Sequence, residues 1–370
     1  MPRPVGLAFR RCVWPPSTTM LEGLPQQWLK RGPVSLLLLP LSWIYRGLHE
    51  IRLWLYRQGW LRIEKLPVPV IVVGNLVAGG AGKTPLVMAL THHLRQRGWQ
   101  PGVISRGHGR HSNACLEVRQ DSSASDCGDE PLLIKQHCKL PVFVAASRVQ
   151  AGRALLQAHP QVNLIVCDDG LQHHSLSRDL NIAVFDERGL GNGHLLPAGP
   201  LREPWPRPLT EDDVQRGIDL IAGYGAPAGL GGYACQRRLA ASARSADGSR
   251  IALGDLQGLR LQAWAGIAKP EQFFNMLRQH GLVLEQTRAW PDHHAYTEAD
   301  LPPDPDLTIL ITEKDAVKLM PQARPHGPRL LSVALEIEPE AAFFEALDRA
   351  MQSWPRPAHP IPSPHGHPTS

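Results

Sequence analysis

Short apolar runs ending in small or polar residues alternate with stretches of helical periodicity through most of this 370-residue chain. Val68–Val73 carries Val or Ile at five of six positions, the composition of a strand covered on both faces. Gly102–Ser105, Pro141–Val144, Val162–Cys167 and Asn181–Phe185 predict further strands. Helices are predicted from Thr84 to about Arg97, after Asp129 as N-cap to Leu132, Leu133 and Ile134, and from Arg148 to about Ala158. Residues 110–128 read as an irregular polar insertion. Such βα repeats predict an open, mostly parallel sheet whose ligands lie beyond the carboxyl ends of the strands.

After a strand at Asp219–Ala222, residues 231–257 read as extended pieces around a hairpin at Ala246–Ser249. The alternation then restarts: strand Leu261–Ile267, helix Pro270–His280 with Pro in its first turn, strands Asp306–Thr312 and Leu330–Leu335, and a helix from Pro339 to about Met351. The predicted class is α/β, a first lobe over 63–228 and a second, smaller α/β lobe over 259–354, joined by a short β-hairpin element over 229–258. Residues 1–62 form an N-terminal extension with a membrane-interface helix, and the Pro-, His- and Ser-rich tail 355–370 is expected to be disordered.

The N-terminal region has its own pattern. Residues 1–19 lack periodicity and precede Met20, a second candidate start. Gly32–Tyr45 is charge-free and Leu-rich but is broken by Pro33 and Pro40. It falls short of the roughly 20 apolar residues a spanning helix needs, and it lacks a signal-cleavage site. From Leu41 to about Arg57, residues Leu41, Ile44, Leu48, Ile51 and Leu55 share a helical face opposite Arg46, Glu50 and Arg57. Trp43, Tyr45, Trp54, Tyr56 and Trp60 add amphipathic rings. Two readings follow, a helix capping the core and a basic, Trp-rich helix lying in a membrane interface, and we favour the second. Leu53, on the polar side, counts against a clean amphipath.

Composition narrows the partners. A hydrophobic fraction of 43% supports a substantial core, and a net charge of +5 favours anions such as phosphates or an acidic lipid surface. No Lys/Arg block with interleaved aromatics is present, so no nucleic-acid partner is expected. The six cysteines form no C-x-x-C pair and read as reduced thiols of a cytosolic protein.

The strongest chemical signal follows Val68–Val73. Val77-Ala-Gly-Gly-Ala-Gly-Lys-Thr84 is a Walker A loop with Val77 in place of its first glycine. Gly79, Gly80 and Gly82 let backbone N–H groups converge on an anion, Lys83 adds a mobile positive charge, and Thr84 offers a hydroxyl to Mg²⁺. The fold is therefore P-loop NTPase-like. Such a loop needs an acidic partner at a neighbouring strand tip, and Asp168 or Asp169 fits that place. Asp129 and His293 are candidates to orient or deprotonate a nucleophile. The Gly- and Pro-rich loop 187–209 reads equally as a linker or, through Arg202 and Glu203, as part of an active site.

The ordered series Val73-Gly-Asn-Leu76, Gly79–Pro85, Ser105-Arg-Gly107, Gly128-Asp-Glu-Pro131, Ala146-Ser-Arg148, Asp168-Asp-Gly-Leu-Gln172, Gly191–Glu203, Gly266-Ile267, Pro291-Asp-His293 and Thr312-Glu-Lys-Asp315 resembles the tetraacyldisaccharide 4′-kinase family of lipid A biosynthesis. The resemblance spans roughly residues 20–350, and Val77 looks like the family's own variant. It implies ATP-dependent phosphorylation of the 4′-hydroxyl of tetraacyldisaccharide 1-phosphate, giving lipid IVA. It further implies two lobes that close over ATP, and a peripheral monomer on the cytoplasmic face of the inner membrane. By position, the loop from Val77, Ala78, Gly79, Gly80, Ala81 and Gly82 would bind ATP, and Lys83 would contact the β- and γ-phosphates. Thr84 and Asp168 would hold Mg²⁺, with Asp169 and Glu203 supporting the metal and its waters. Asp129 paired with His293 would be the general base, and Arg148 and Arg202 would offset phosphate charge. His294 could exchange roles with its neighbour His293. The competing reading is a P-loop GTPase of the switch or metallochaperone type. The adjacency of Lys314 and Asp315 does not fit the Asn-Lys-x-Asp spacing such proteins use to read guanine.

Overall fold

The structure, a computed structural model, describes residues 28–80, 82–206, 217–224, 230–324 and 326–355. The expectations for residues 1–27, Ala81, Cys12, the end of the 187–209 loop and the tail from residue 356 lie outside the described residues.

The βα repeats give strands β1 (Val70–Gly74), β2 (Pro101–Ser105), β3 (Leu116–Glu117), β4 (Val142–Val144), β5 (Leu164–Asp168), β6 (Leu180–Phe185) and β7 (Leu220–Tyr224). Helices α2 (Lys83–Gln96), α4 (Asp129–Cys138) and α5 (Arg148–Ala158) connect them, and a short α3 (Ala124–Cys127) stands in the predicted insertion. The second half contains β8 (Tyr233–Ser245), β9 (Arg250–Ala252), β10 (Leu261–Ala265), α6 (Pro270–Gln279), β11 (Gln286–Ala289), β12 (Thr308–Thr312), α7 (Glu313–Leu319), β13 (Arg329–Pro339) and α8 (Ala341–Ala350).

All strands belong to one sheet, in the order β11-β10-β12-β13-β8-β7-β6-β1-β5-β2-β4-β3, with β9 paired to β8. Every pairing is parallel except β13–β8, β8–β9 and β3–β4. The hairpin expected at Ala246–Ser249 is present between β8 and β9. Its first strand is far longer than the short pieces predicted: β8 runs 13 residues and pairs with β7 on one side and β13 on the other. The sheet is thus continuous from the first half into the second. Leu335–Pro339 of β13 follow Cys235–Leu239 of β8 back toward the first half and deliver α8 there. Phe343 and Leu347 of α8 therefore join Leu86, Leu90 and Leu94 of α2 in one cluster. Full burial of such side chains contributes about 1.5–3 kcal/mol each. α5 covers the opposite face of the first half, while α6 and α7 cover the two faces of the second.

The N-terminal helix differs from its prediction. α1 is one helix from Pro33 to Arg57, so the Leu-rich run and the Leu41–Arg57 segment are one element. Pro33 sits at the first turn, where its missing N–H costs nothing, and Pro40 lies inside the helix. The face that packs on the body is a narrow seam of Ser35, Ser42 and Leu53, all buried. Leu53 is therefore an anchor, not a blemish in the pattern. The apolar face containing Leu37, Leu41, Ile44, Leu48 and Ile51 is exposed, Leu37 by 79%. No helix among the described residues is long and apolar enough to cross a membrane. Cys115, Cys127, Cys138, Cys167 and Cys235 are free thiols.

Candidate active site

β1 leads directly into the glycine-rich loop, as its composition predicts. Gly82 caps α2 with φ +73°, and a Cβ there would lie 2.9 Å from the Tyr224 ring, whose hydroxyl donates to the Gly82 carbonyl at 2.6 Å. Val77, at the departed Walker position, is buried and bridges Leu201, while the Ala78 N–H donates to the Pro200 carbonyl at 2.7 Å. A side chain replaces glycine there because the 187–206 loop clamps this end of the phosphate loop to the core. The Asn75 amide closes the turn from inside, donating to the carbonyls of Val77 (2.7 Å) and Gly79 (2.9 Å). Lys83 Nζ reaches Asn75 Oδ1 at 3.2 Å and Asp169 Oδ1 at 3.3 Å, and Thr84 is buried in the first turn of α2.

The register that pairs Val73 with Asp168 sets the acidic pair beside the loop. Asp168 is fully buried; the Ser105 hydroxyl donates to Oδ2 at 3.4 Å, and Oδ1 accepts no hydrogen bond among the described residues. Burial, helped by the nearby Glu130 charge and opposed by Lys83, pushes its carboxyl up to about 7. An orphaned buried oxygen of this kind fits a cation, and a divalent metal would restore the charged form. Asp169 adopts φ +50° and turns the other way, to Lys83 and to Arg202 at 3.5 Å. Burial works against its charge, but Lys83 and Arg202 outweigh it and hold the carboxyl below the usual range. Arg148 is buried behind the pair and spends its guanidinium on the carbonyls of Asp169 (3.1 Å) and Ala145 (3.4 Å), where it braces the tip of β5. Glu203 is buried next to Arg202.

Across the cleft, the Asp129 prediction needs one correction. Gly128, at φ +92°, is the N-cap of α4, and Asp129 is its first helical residue. A Cβ on Gly128 would sit 2.9 Å from the His108 carbonyl, so only glycine allows the chain this close. Freed from capping, the Asp129 carboxylate turns to the second half: Oδ2 lies 3.1 Å from His293 Nδ1 and 2.9 Å from Lys318 Nζ. Burial would raise its proton affinity, but the His293 hydrogen bond and the Lys318 charge prevail and lower it. His293 adopts φ +63° to make this contact, whereas His294 stacks on Trp290 at 4.2 Å. The neighbouring histidines are thereby distinguished.

These strand tips enclose a cavity of about 360 Å³, lined by Gly79, Lys83 and Thr84 on one side and by Lys269, His293 and Lys314 on the other. A larger groove, about 650 Å³, lies between α2 and β13, away from the acidic pair. The sequence reading named neither Asn75 nor Tyr224, Lys269, Lys314 and Lys318 as site residues. Asn75 lies within the turn itself, whereas Tyr224, Lys269, Lys314 and Lys318 look like ordinary core and surface positions, and only the sheet order brings them to the site. Asp315 is unavailable for guanine: its buried carboxylate accepts from the Gly266 N–H (3.0 Å), the Thr312 hydroxyl (2.6 Å) and the Tyr296 hydroxyl (3.0 Å).

Comparison with known proteins agrees with this geometry. A model of the tetraacyldisaccharide-1-P 4′-kinase family matches residues 34–352. A tetraacyldisaccharide 4′-kinase from Acidovorax sp. (strain JS42) is 51% identical over 342 residues, 92% of this chain and 97% of the relative. Its counterpart from Polaromonas naphthalenivorans is 49% identical, over 95% of this chain and the whole relative. The crystal structure of the "apo" form of LpxK from Aquifex aeolicus in complex with ATP superposes with a TM-score of 0.72 at 30% identity, over 86% of this chain and 98% of that one. These matches exclude the switch-protein reading, and the chain belongs to the tetraacyldisaccharide-1-phosphate 4′-kinase family.

Proposed function

We propose how this chain carries out its family's reaction, the ATP-dependent phosphorylation of the 4′-hydroxyl of tetraacyldisaccharide 1-phosphate in lipid A biosynthesis. The observation that carries the reading is the Asp129–His293 contact at 3.1 Å, across the cavity from the phosphate loop. Gly79, Gly80 and Gly82 cradle the ATP phosphates, Val77 and Ala78 anchor the loop from behind, and Lys83 exchanges Asp169 and Asn75 for β- and γ-phosphate oxygens. Thr84 and Asp168 would hold Mg²⁺, with Glu203 supporting its waters; the metal would supply charge neutralisation at the transferring phosphoryl group. Arg202 moves from Asp169 to the phosphates, and Arg148 fixes the carbonyl of Asp169.

Asp129 removes the proton of the sugar hydroxyl as its oxygen attacks the γ-phosphorus, the bond to the ADP oxygen breaks, and ADP leaves. Both observed contacts of Asp129 fall on Oδ2, which reserves Oδ1 for the sugar. A base lowered in proton affinity stays ionised at neutral pH and is always ready to accept. The exposed face of α1 rests on the cytoplasmic face of the inner membrane, bringing a monomeric enzyme to an acylated substrate, with Trp43, Trp54 and Trp60 at the headgroup level.

The test is transfer of labelled γ-phosphate from ATP to tetraacyldisaccharide 1-phosphate in detergent micelles, comparing the full chain with Asp129→Asn. Loss of a general base is expected to lower kcat by about 10²–10⁴-fold. A variant as fast as the parent overturns the base assignment. For the surface assignment, Ile44→Glu with Leu48→Glu should abolish sedimentation with anionic vesicles; undiminished sedimentation overturns it.

A further inference from the structure

A helix that docks on a protein core ordinarily presents an apolar face, yet the seam of α1 is polar where it meets the loop after β6. Ser35, Ser42 and Tyr45 share one face of the helix. Ser35 Oγ donates to the Ala198 carbonyl at 2.6 Å and accepts from the Asn192 amide at 3.0 Å. Ser42 Oγ donates to the Leu195 carbonyl at 2.9 Å and accepts from the Ala198 N–H at 3.0 Å. The Tyr45 hydroxyl donates to the Arg202 carbonyl at 2.8 Å. Ahead of the helix, Trp28 Nε1 donates to the Pro197 carbonyl at 3.0 Å, and the Trp28 carbonyl accepts from the Asn192 N–H at 2.7 Å.

The same loop has a second edge. The Pro200 carbonyl accepts from the Ala78 N–H at 2.7 Å, Leu201 bridges Val77, and the Arg202 N–H donates to the Leu76 carbonyl at 2.7 Å. Residues 195–202 thus bond α1 along one edge and the phosphate loop along the other. The Asn192 side chain stiffens this strip from within. Its amide donates to the Ala198 carbonyl at 2.9 Å, its Oδ1 accepts from the His194 N–H at 3.0 Å, and a side chain at Gly199 would collide with that oxygen. Apolar packing tolerates sliding, whereas a buried hydroxyl bonded to a particular carbonyl fixes a position, because either partner left short costs free energy. Burial, with the nearby Glu203 charge, raises the Tyr45 hydroxyl, which therefore keeps its proton and remains a donor.

We propose that Ser35, Ser42 and Tyr45 are positioning residues for the ATP site, so that α1 has a task on its buried seam separate from that of its exposed face. This rests on the reading of the phosphate loop as the ATP site and of Arg202 as a phosphate partner. The two serines hold the strip that clamps Val77 and Ala78, and they act on nucleotide affinity. Tyr45 holds the peptide bond that joins Arg202 to Glu203, and it acts on turnover.

The test uses the full chain in detergent micelles and compares Ser35→Ala, Ser42→Ala and Tyr45→Phe with Leu53→Ala. The last removes a buried apolar side chain from α1 about two turns beyond Tyr45 and has no hydrogen bond to lose. Each serine variant should weaken ATP binding by isothermal calorimetry about 3–10-fold, with kcat at saturating ATP within about twofold of the parent. Tyr45→Phe should lower kcat about 3–10-fold and leave KM for ATP within about twofold. Leu53→Ala should lower the melting temperature at least as much as any of the three, with both ATP constants within about twofold of the parent. In a Val77→Gly background, which removes the side chain that Leu201 meets, Ser42→Ala should cost less than about twofold, because effects carried by one contact do not add. Tyr45→Phe keeps the ring and its packing, so it answers the question even if a serine variant does not fold. Lys83→Ala without effect on ATP binding would overturn the reading of the ATP site itself. With Lys83→Ala effective, seam variants that bind and turn over ATP as the parent does, or that lose no more than Leu53→Ala loses, would overturn the positioning role and leave the ATP site intact.

Discussion

At the carboxyl ends of β1 and β5 the chain meets the cavity mostly with main chain and short side chains, Gly79, Gly82, Thr84 and Asp169, next to the fully buried Asp168. At the ends of β10, β11 and β12, in a parallel sheet of the same kind, it meets the cavity with long side chains: Lys269, His293 and Lys314. The first arrangement suits phosphate by geometry, since converging N–H groups need the backbone in one conformation. The second adjusts charge and proton position, which depends on head groups and tolerates backbone variety. On the proposed reading, a single scaffold thus divides positioning of the donor from activation of the acceptor.

The comparison breaks most visibly at Lys83, a long cation on the first side that is part of the phosphate loop itself. Lys83→Ala should lower kcat/KM by about 10²–10³-fold, the range for removing one preorganised partner of a developing charge. An effect below tenfold in the labelled-phosphate assay would move the phosphate site elsewhere. Next comes Gly82→Ala, which adds a single methyl. At φ +73° it meets a left-handed penalty of about 1–2 kcal/mol as well as the Tyr224 ring at 2.9 Å. The expected outcome is weaker ATP binding by isothermal calorimetry together with a lower melting temperature. Unchanged binding would refute the backbone account of the first side. Tyr296→Phe sharpens the second side. It removes the hydroxyl bonded to Asp315, costs about 1–3 kcal/mol of stability by urea unfolding for a buried partner left short, and loosens the loop that presents His293. KM for ATP should stay unmoved, because no phosphate contact is lost.

Legibility in the sequence follows the same division. The glycines, Lys83 and Thr84 are readable because phosphate binding by backbone demands those residue types at that spacing. β1, β5 and β6 were readable because strands buried on both faces have few permitted residues. The β8 strand was read as short pieces because its 13 residues alternate buried and exposed and contain three arginines. The N-terminal helix was split at Pro40, since a proline normally marks a boundary and the tertiary seam of Ser35, Ser42 and Leu53 cannot be seen in one helix's periodicity. Asp129 looked like a cap because Asp is the expected capping type; its partner His293 is 164 positions away. Lys314 and Lys318 resemble any solvated pair until the order of the strands puts them opposite an acidic helix start.

The smallest effect should appear where the two sides are joined. Glu187, after β6 in the first half, meets Lys269 at 2.6 Å from the loop after β10, Arg237 of β8 at 2.5 Å, and Gln272 of α6 at 3.3 Å. Burial alone would raise its carboxyl, but the Lys269 hydrogen bond, its own backbone and Arg237 together depress it to about 2 from an ordinary 4.5. A group with a depressed folded value binds protons more readily when unfolded. Its stabilisation is therefore complete above 4.5 and is lost as pH falls through about 2. Glu187→Gln keeps the shape and removes the charge. The difference in urea midpoint between parent and variant should be constant above about pH 5 and shrink steadily below it. The side chain is well exposed, so the difference should also narrow in high salt. A difference that stayed level down to pH 3 would mean the junction is held by packing of the continuous sheet, and that the charges on either side of it have no part in keeping the two sets of strand tips facing each other.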